Sequence, residues 1–226
     1  FPYTTLFRSD VEAFKPEVVY TVRFDGTPGY PKNALFGPNG PRWVANGGAG
    51  TDHFGLWDSD KTTVTNTAGV AADMMAEFVL GGFLHFTLDI PGLQADQAAR
   101  MWNARMVAPL GKKTLLIIGL GNTGRALAKR AKAFGMRVLG TRARPTDMDN
   151  VDVVYSADKL HQLLPEADFV AVCTPLTSFT KGLLGKDEFG LVKPGSVLPD
   201  VSRGGVVDQT ALTFALSSGK IRSEEH

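Results

Sequence analysis

Six consecutive residues, Gly119-Leu120-Gly121-Asn122-Thr123-Gly124, carry the most specific chemistry in the chain. They follow an apolar run, Thr114 to Ile118, and open a segment whose Leu127, Ala131 and Phe134 fall on one helical face. A glycine pattern alone says little, because any tight strand-to-helix turn needs glycine. Between a buried strand and an amphipathic helix it meets the condition for a dinucleotide phosphate loop. The first glycine then makes the turn, the second lets a pyrophosphate reach the backbone, and the third lets helix and strand pack closely. The helix N-terminus stabilises the phosphate charge. Gly119, Gly121, Asn122, Thr123 and Gly124 are the expected cofactor contacts.

The end of the following strand selects the cofactor. A carboxylate there would bond a free ribose 2′-hydroxyl and repel a 2′-phosphate. This chain instead reads Gly140-Thr141-Arg142-Ala143-Arg144-Pro145. A hydroxyl and two guanidinium groups suit a phosphate, through charge-assisted bonds of roughly 1.5 to 3 kcal/mol each. Thr141, Arg142 and Arg144 therefore point to NADP(H), with NAD kept open. A solvated arginine pair in an exposed loop is the competing account.

The elements that must position these residues read as an α/β chain with a parallel sheet of the Rossmann type, preceded by part of a further domain. From Gly111 onward strand and helix alternate: Thr114 to Ile118, a helix from Thr123 to Phe134, Arg137 to Gly140, a helix from Asp158 to Leu164, and Phe169 to Cys173. Such alternation calls for a parallel sheet covered by helices. An apolar run at Val197 to Val201 and a helix from Asp208 to Ser217 follow, with Asp208 as N-cap and Gly219 just past the end. Upstream, Val18 to Val22 and Trp43 to Ala45 read as short buried strands among Gly, Pro and Asn. Val70 to Phe86 reads as a helix despite Gly81-Gly82, and the domain boundary is placed just before it. The division is then 10–68 for the first, partial lobe and 69–221 for the dinucleotide-binding domain.

Bulk composition narrows the class. With 226 residues, 43% hydrophobic and 21% charged, the chain has globular composition, and disorder is a poor reading. A net charge of +1 offers no global field for nucleic acid or an anionic membrane, so neither is expected as a partner. One cysteine, Cys173, excludes an internal disulfide framework and gives no metal cluster, in keeping with a reducing cytoplasm. No apolar run reaches the ~18 residues that suggest a membrane span.

Both ends are set aside. Phe1 to Ser9 resembles a translated sequencing-library adapter. If Leu6 to Ser9 is read from CTC TTC CGA TCT, the reverse complement encodes Arg-Ser-Glu-Glu, the residues at Arg222 to Glu225. Residues 1–9 and 222–226 are therefore treated as artefact, with a chance match of two short termini as the alternative, and the remainder is expected to be a fragment.

Four blocks carry a family resemblance: Gly48-Ala49-Gly50-Thr51-Asp52-His53, Ala76-Glu77, Gly111 to Gly140, and Lys193-Pro194-Gly195 through Ser202-Arg203-Gly204-Gly205-Val206-Val207-Asp208. They resemble the D-isomer-specific 2-hydroxyacid dehydrogenases, especially glyoxylate and hydroxypyruvate reductases, over Asn46 to Ile221. The resemblance implies two lobes, an incomplete doubly wound Rossmann-type parallel sheet for the cofactor and a partial flavodoxin-like substrate lobe (10–68), with a site in the cleft between them, and a homodimer formed through the cofactor lobe. It implies hydride transfer between C4 of a nicotinamide and C2 of a small 2-oxo or 2-hydroxy acid. Arg203 matches the family's substrate arginine, which makes it the one catalytic candidate, and the amides of Gly48, Ala49 and Gly50 match the loop that holds the substrate carboxylate. The competing accounts are an arginine that merely fixes its loop and a plain glycine turn. Cys173, Thr174, Pro175 and Ser202 match positions along the cofactor groove, with Cys173 a packed small residue and not a nucleophile.

The family's histidine proton donor and its glutamate partner lie beyond the matched block. His53, His85 and His161 stand elsewhere and are read as structural or exposed, so the polypeptide is expected to bind cofactor weakly and turn over little. Glu77 resembles a family glutamate with no assigned role. Pro199 departs from the family and cannot donate a ladder hydrogen bond. Asp200 replaces a usual Asn, adding negative charge near the site. A different class stays open: a nucleotide-sensing binding protein akin to the transcriptional corepressors that share this fold.

Overall fold

The computed structural model describes residues 8–22 and 32–225. The chain divides into two compact units, 1–70 and 71–226, and each is described by itself.

The first unit runs α1 (Arg8–Phe14), β1 (Val18–Thr21), α2 (Lys32–Phe36), β2 (Trp43–Asn46) and β3 (Thr63–Asn66). Its strands form a parallel sheet in the order β1-β2-β3, with Val19 beside Val44 and Asn46 beside Asn66. Val11, Val19, Ala34 and Leu35 make a small core on one face. β3 is an addition to the sequence expectation. Its Thr-Val-Thr-Asn text is short and mostly exposed, so no apolar alternation marks it.

The second unit opens with α3 (Ala72–Thr87) and α4 (Ile90–Ala99). It continues β4 (Thr114–Ile118), α5 (Asn122–Ala133), β5 (Arg137–Thr141), β6 (Val153–Tyr155), α6 (Leu160–Leu163), β7 (Phe169–Val172), α7 (Lys186–Leu191), β8 (Ser196–Pro199), α8 (Gln209–Ser217) and β9 (Ile221–Glu225). Six parallel strands lie in the order β6-β5-β4-β7-β8-β9. Chain direction across the sheet reverses between β4 and β7, and the crevice outside the carboxyl ends at such a reversal is where open α/β sheets take ligands.

Side-chain alternation along β4 sends Leu115 and Ile117 into one core with α3 and α5, and Leu116 and Ile118 into a second with α6, α7 and α8. Both faces are therefore covered, which is why β4 is apolar throughout. Phe83 of α3 packs on Phe169 with ring centroids 4.6 Å apart. Arg130 of α5 reaches Asp73 and Glu77 of α3, each at 2.9 Å. Glu77 thus acts here as a clamp between two helices.

Several boundaries differ from the sequence reading. The expected helix from Asp158 to Leu164 is a single α-turn flanked by tight turns at Ala157–Lys159 and Leu164–Glu166, with Pro165 inside the second. The Val197 to Val201 run ends as a strand at Pro199. β8 pairs with β7 at Phe169 and Val197, and contact resumes only as a bridge between Val172 and Asp200. Pro199, lacking an N–H, sits in that gap. Arg222 to Glu225, set aside as adapter-like, form the last four residues of β9, and Arg8 and Ser9 open α1. Residues 1–7 and 226 lie outside the described residues. Among the described residues no helix is long and apolar enough to cross a membrane.

Candidate functional site

The glycine loop sits where β4 ends at the sheet's reversal. Gly119 has φ +101°, a region L side chains rarely enter, and an added Cβ would come within 2.9 Å of the Thr174 backbone. Gly124 is buried against the same turn, and a Cβ there would lie 2.2 Å from the Gly119 carbonyl oxygen. Gly121 differs. It is exposed, and a Cβ would meet nothing within 4 Å. The three glycines therefore do three jobs: turn, open approach and close packing.

Gly121 is also the N-cap of α5, with no side chain accepting from the first turn. The leading amides of that helix have no intrahelical partner, and they carry the positive end of its dipole. Asn122 and Thr123 occupy this first turn, and Asn122 Oδ1 accepts from Arg125 Nη2 at 2.8 Å.

From below, β5 holds the loop. The Thr141 carbonyl accepts from the amides of Gly119 and Leu120 at 3.2 and 3.1 Å, while Thr141 is itself buried at 3% exposure. Thr141 is thus placed as a support for the loop. Gly140 is required because a Cβ would strike the Leu120 side chain at 2.6 Å. Arg142 follows, half-buried, its Nη1 3.2 Å from Thr146 Oγ1 and 3.6 Å from Met148 Sδ. Arg144 is exposed.

Across the reversal, Cys173, Thr174 and Pro175 leave the end of β7 beside Gly119. Desolvation, with the Asp200 carboxylate as a second cause, pushes the Cys173 thiol up to about 12, so it is inert at neutral pH. Asp200 is 3% exposed, and its Oδ1 accepts from Ser202 N at 2.8 Å and from the Ser202 hydroxyl. That Asx-type turn leads to Arg203, which is exposed and donates to the Ser202 carbonyl at 3.0 Å.

In the first unit the loop at 48–50 is organised by residues the sequence reading missed. Buried Asn46, at the end of β2, donates through Nδ2 to the carbonyls of both Gly48 and Gly50 at 2.8 Å. Asn66, at the end of β3, donates to the Ala49 carbonyl at 2.8 Å. With all three carbonyls held, the amides of Gly48, Ala49 and Gly50 donate to no acceptor among the described residues. A cradle of unclaimed N–H groups suits an anion. Asn46, two residues before Gly48, was the only local signal, and Asn66 comes beside the loop only through the pairing of β2 with β3.

The histidines are accounted for locally. His161 bonds Glu188, which also accepts from Gly185 N at 2.9 Å. His85 meets Phe86 edge-on, with centroids 4.9 Å apart, and the His53 ring lies tilted at 55° against Phe54, with centroids 4.1 Å apart. Among the described residues, no group of three His, Cys, Asp or Glu could hold a metal ion.

Comparison with known proteins places this geometry among relatives. The profile of the D-isomer specific 2-hydroxyacid dehydrogenase NAD binding domain matches residues 80–224. A glyoxylate reductase from Thermococcus litoralis is 34% identical over 193 residues, covering 79% of this chain and 57% of its own. A crystal structure of a D-isomer specific 2-hydroxyacid dehydrogenase family protein from Aeromonas salmonicida superposes with a TM-score of 0.83 at 29% identity, covering 96% of this chain and 70% of its own. A D-isomer specific 2-hydroxyacid dehydrogenase from Xanthobacter autotrophicus, solved in complex with NADPH and MES, gives 0.75 at 30% identity, covering 91% and 64%. The chain spans from 35% to 59% of the length of the curated relatives compared.

Proposed function

The chain belongs to the D-isomer specific 2-hydroxyacid dehydrogenase family, and on that premise we propose that the protein is an oxidoreductase moving a hydride between NADP(H) and a small 2-oxo or 2-hydroxy acid of the glyoxylate or hydroxypyruvate type. The observation that carries the reading is the glycine loop at the sheet reversal, with an open approach at Gly121 and uncapped amides behind it.

The amides at Gly121 to Gly124 are assigned to the pyrophosphate, and Arg142 and Arg144 to the ribose 2′-phosphate, which a carboxylate at that strand end would reject. Thr174, Pro175 and Ser202 border the groove, with Cys173 packed beneath and Thr141 supporting the loop. When bound, the nicotinamide supplies or accepts the hydride. Arg203 is assigned to the substrate, where a planar guanidinium fork pairs with a carboxylate and draws charge from a carbonyl oxygen. The amides of Gly48, Ala49 and Gly50 are assigned to the substrate carboxylate. No residue of this chain is assigned as proton donor.

A cytoplasmic setting and a homodimer belong to the same proposal. A lone, inert cysteine suits a reducing compartment. Exposed apolar side chains suit self-association: Trp102 and Met106, which follow α4, are 94% and 100% exposed.

The test is a fluorescence or thermal-shift titration with NADPH and NADH in parallel, on the wild type and Arg142→Asp. The wild type should prefer NADPH, and the substitution should weaken NADPH by roughly 10- to 150-fold, the worth of one charge-assisted bond, while sparing NADH. A folded wild type that responds to neither cofactor would overturn the proposal.

A further inference from the structure

Asp200 is the one residue near the groove whose chemistry the proposed function leaves unused. It follows the carboxyl end of β8, bridged to Val172 immediately before Cys173. Its carboxylate is 3% exposed, yet its bonds are to the Ser202 amide and hydroxyl, and among the described residues no lysine or arginine is bonded to it. An asparagine would make both of those bonds through its own Oδ1 without burying a charge. The charge is therefore not needed for the turn. Burying one without an ionic partner is costly.

The strand order tells which part of the cofactor this charge faces. A doubly wound sheet of this order is two mononucleotide-binding halves. The phosphate loop follows β4 and Arg142 follows β5, which makes β4-β5-β6 the adenosine half and leaves the ends of β7 and β8, hence Asp200, to the nicotinamide half. The oxidised nicotinamide carries a positive charge and the reduced ring is neutral, whereas their phosphates are the same. Any difference in affinity between the two forms therefore reports the field at the ring.

We propose that Asp200 is a specificity-determining residue for cofactor oxidation state, holding NADP+ more tightly relative to NADPH than an asparagine there would. The inference rests on the cofactor reading above. Asp200's field is felt beside it, since it is one cause of the raised Cys173 thiol. Arg203, the neighbouring cation, is exposed and bonded to the Ser202 carbonyl, so solvent screens it more than it screens the buried carboxylate.

The test compares dissociation constants for NADP+ and NADPH, by calorimetry or fluorescence at one ionic strength, in wild type and Asp200→Asn. Two unit charges about 10 Å apart at an effective dielectric of about 20 to 40 change such a ratio by roughly four- to sixteenfold. The preference for NADP+ should fall by that factor in Asp200→Asn. Ser202→Ala removes the hydroxyl that shares the charge and should move the ratio the other way, which keeps the test decisive if Asp200→Asn does not fold. Ratios unchanged within twofold, with both cofactors still binding, overturn the role of Asp200 alone. A wild type that binds neither form overturns the cofactor reading and this inference with it.

Discussion

Two alanine substitutions three residues apart should behave in opposite ways, because Gly121 and Gly124 meet different surroundings. At Gly124 a Cβ would stand 2.2 Å from the Gly119 oxygen and 3.1 Å from Ile117 Cγ2. Relieving that overlap requires α5 to move off β4 by about 1 Å, and overpacking of this kind costs about 1 to 3 kcal/mol. In a domain of this size each kcal/mol lowers Tm by roughly 2 to 4 °C, so Gly124→Ala should melt roughly 2 to 12 °C below the wild type. At Gly121 the Cβ points into open space, and φ is −79°. Its cost is limited to the weaker capping of alanine, at most about 1 kcal/mol. The added methyl lies where the phosphates must approach the backbone, so Gly121→Ala should lose NADPH affinity by about tenfold or more while remaining nearly as stable as the wild type. Scanning fluorimetry and NADPH titration on both variants provide the readout. Wild-type affinity in Gly121→Ala would refute the assignment of the loop to phosphate, and wild-type stability in Gly124→Ala would refute the packing account.

Two further outcomes are expected. Asn46→Ala removes the side-chain donor of the Gly48 and Gly50 carbonyls and leaves Gly48 O only the Thr67 amide at 3.3 Å, and should destabilise the first unit by about 1 to 3 kcal/mol. Trp43, bonded to Thr65 in the same sheet, reports it in urea unfolding, and an unshifted midpoint would contradict the pinning role. Asp168, just before β7, joins the start of β4 to the loop ahead of β8, accepting from Thr114 N at 2.8 Å and from Lys193 at 3.0 Å. Desolvation raises its carboxyl, but the Thr114 amide and the Lys193 ammonium lower it more, so the net shift is downward. A carboxyl lowered by folding stabilises the fold above its unfolded value, near 3.9, and that contribution is lost as pH falls through the folded value. Wild-type Tm should therefore drop as pH falls from about 4, and Asp168→Asn, already less stable at neutral pH, should drop less steeply; equal slopes would rule out this contribution.

What was legible in the sequence followed burial. β4 was read to the residue because every side chain in it is buried, and α5 to within one residue at each end because Leu127 and Ala131 mark a buried face, whereas Phe134, assigned to the same face, is the exposed C-cap. α4 escaped notice because Pro91-Gly92 reads as a breaker and no apolar face exists to contradict it. In the structure the proline sits in the first turn, where its missing N–H costs nothing, and Asp89 caps the helix through Gly92 N. β9 was lost when the tail was set aside for its adapter-like text, yet its backbone pairs with β8. Arg142 and the phosphate-loop glycines were named from residue type and spacing, which survive in one dimension, and Arg203 and Gly48 to Gly50 from the family resemblance. Asn46 and Asn66 were not, because their importance lies in what they hold across 2 to 17 residues of chain.

Those two asparagines locate the recognition of an anion outside the segment that would touch it. Gly48, Ala49 and Gly50 offer only backbone, so their polarity is decided by which way the peptide planes are turned, and Asn46 and Asn66 turn them from the ends of neighbouring strands. A transplant of the loop alone into another scaffold would carry the letters of the motif without its orientation. Moving the cradle means moving the two strand ends together, register included, and the loop itself is the part most free to vary.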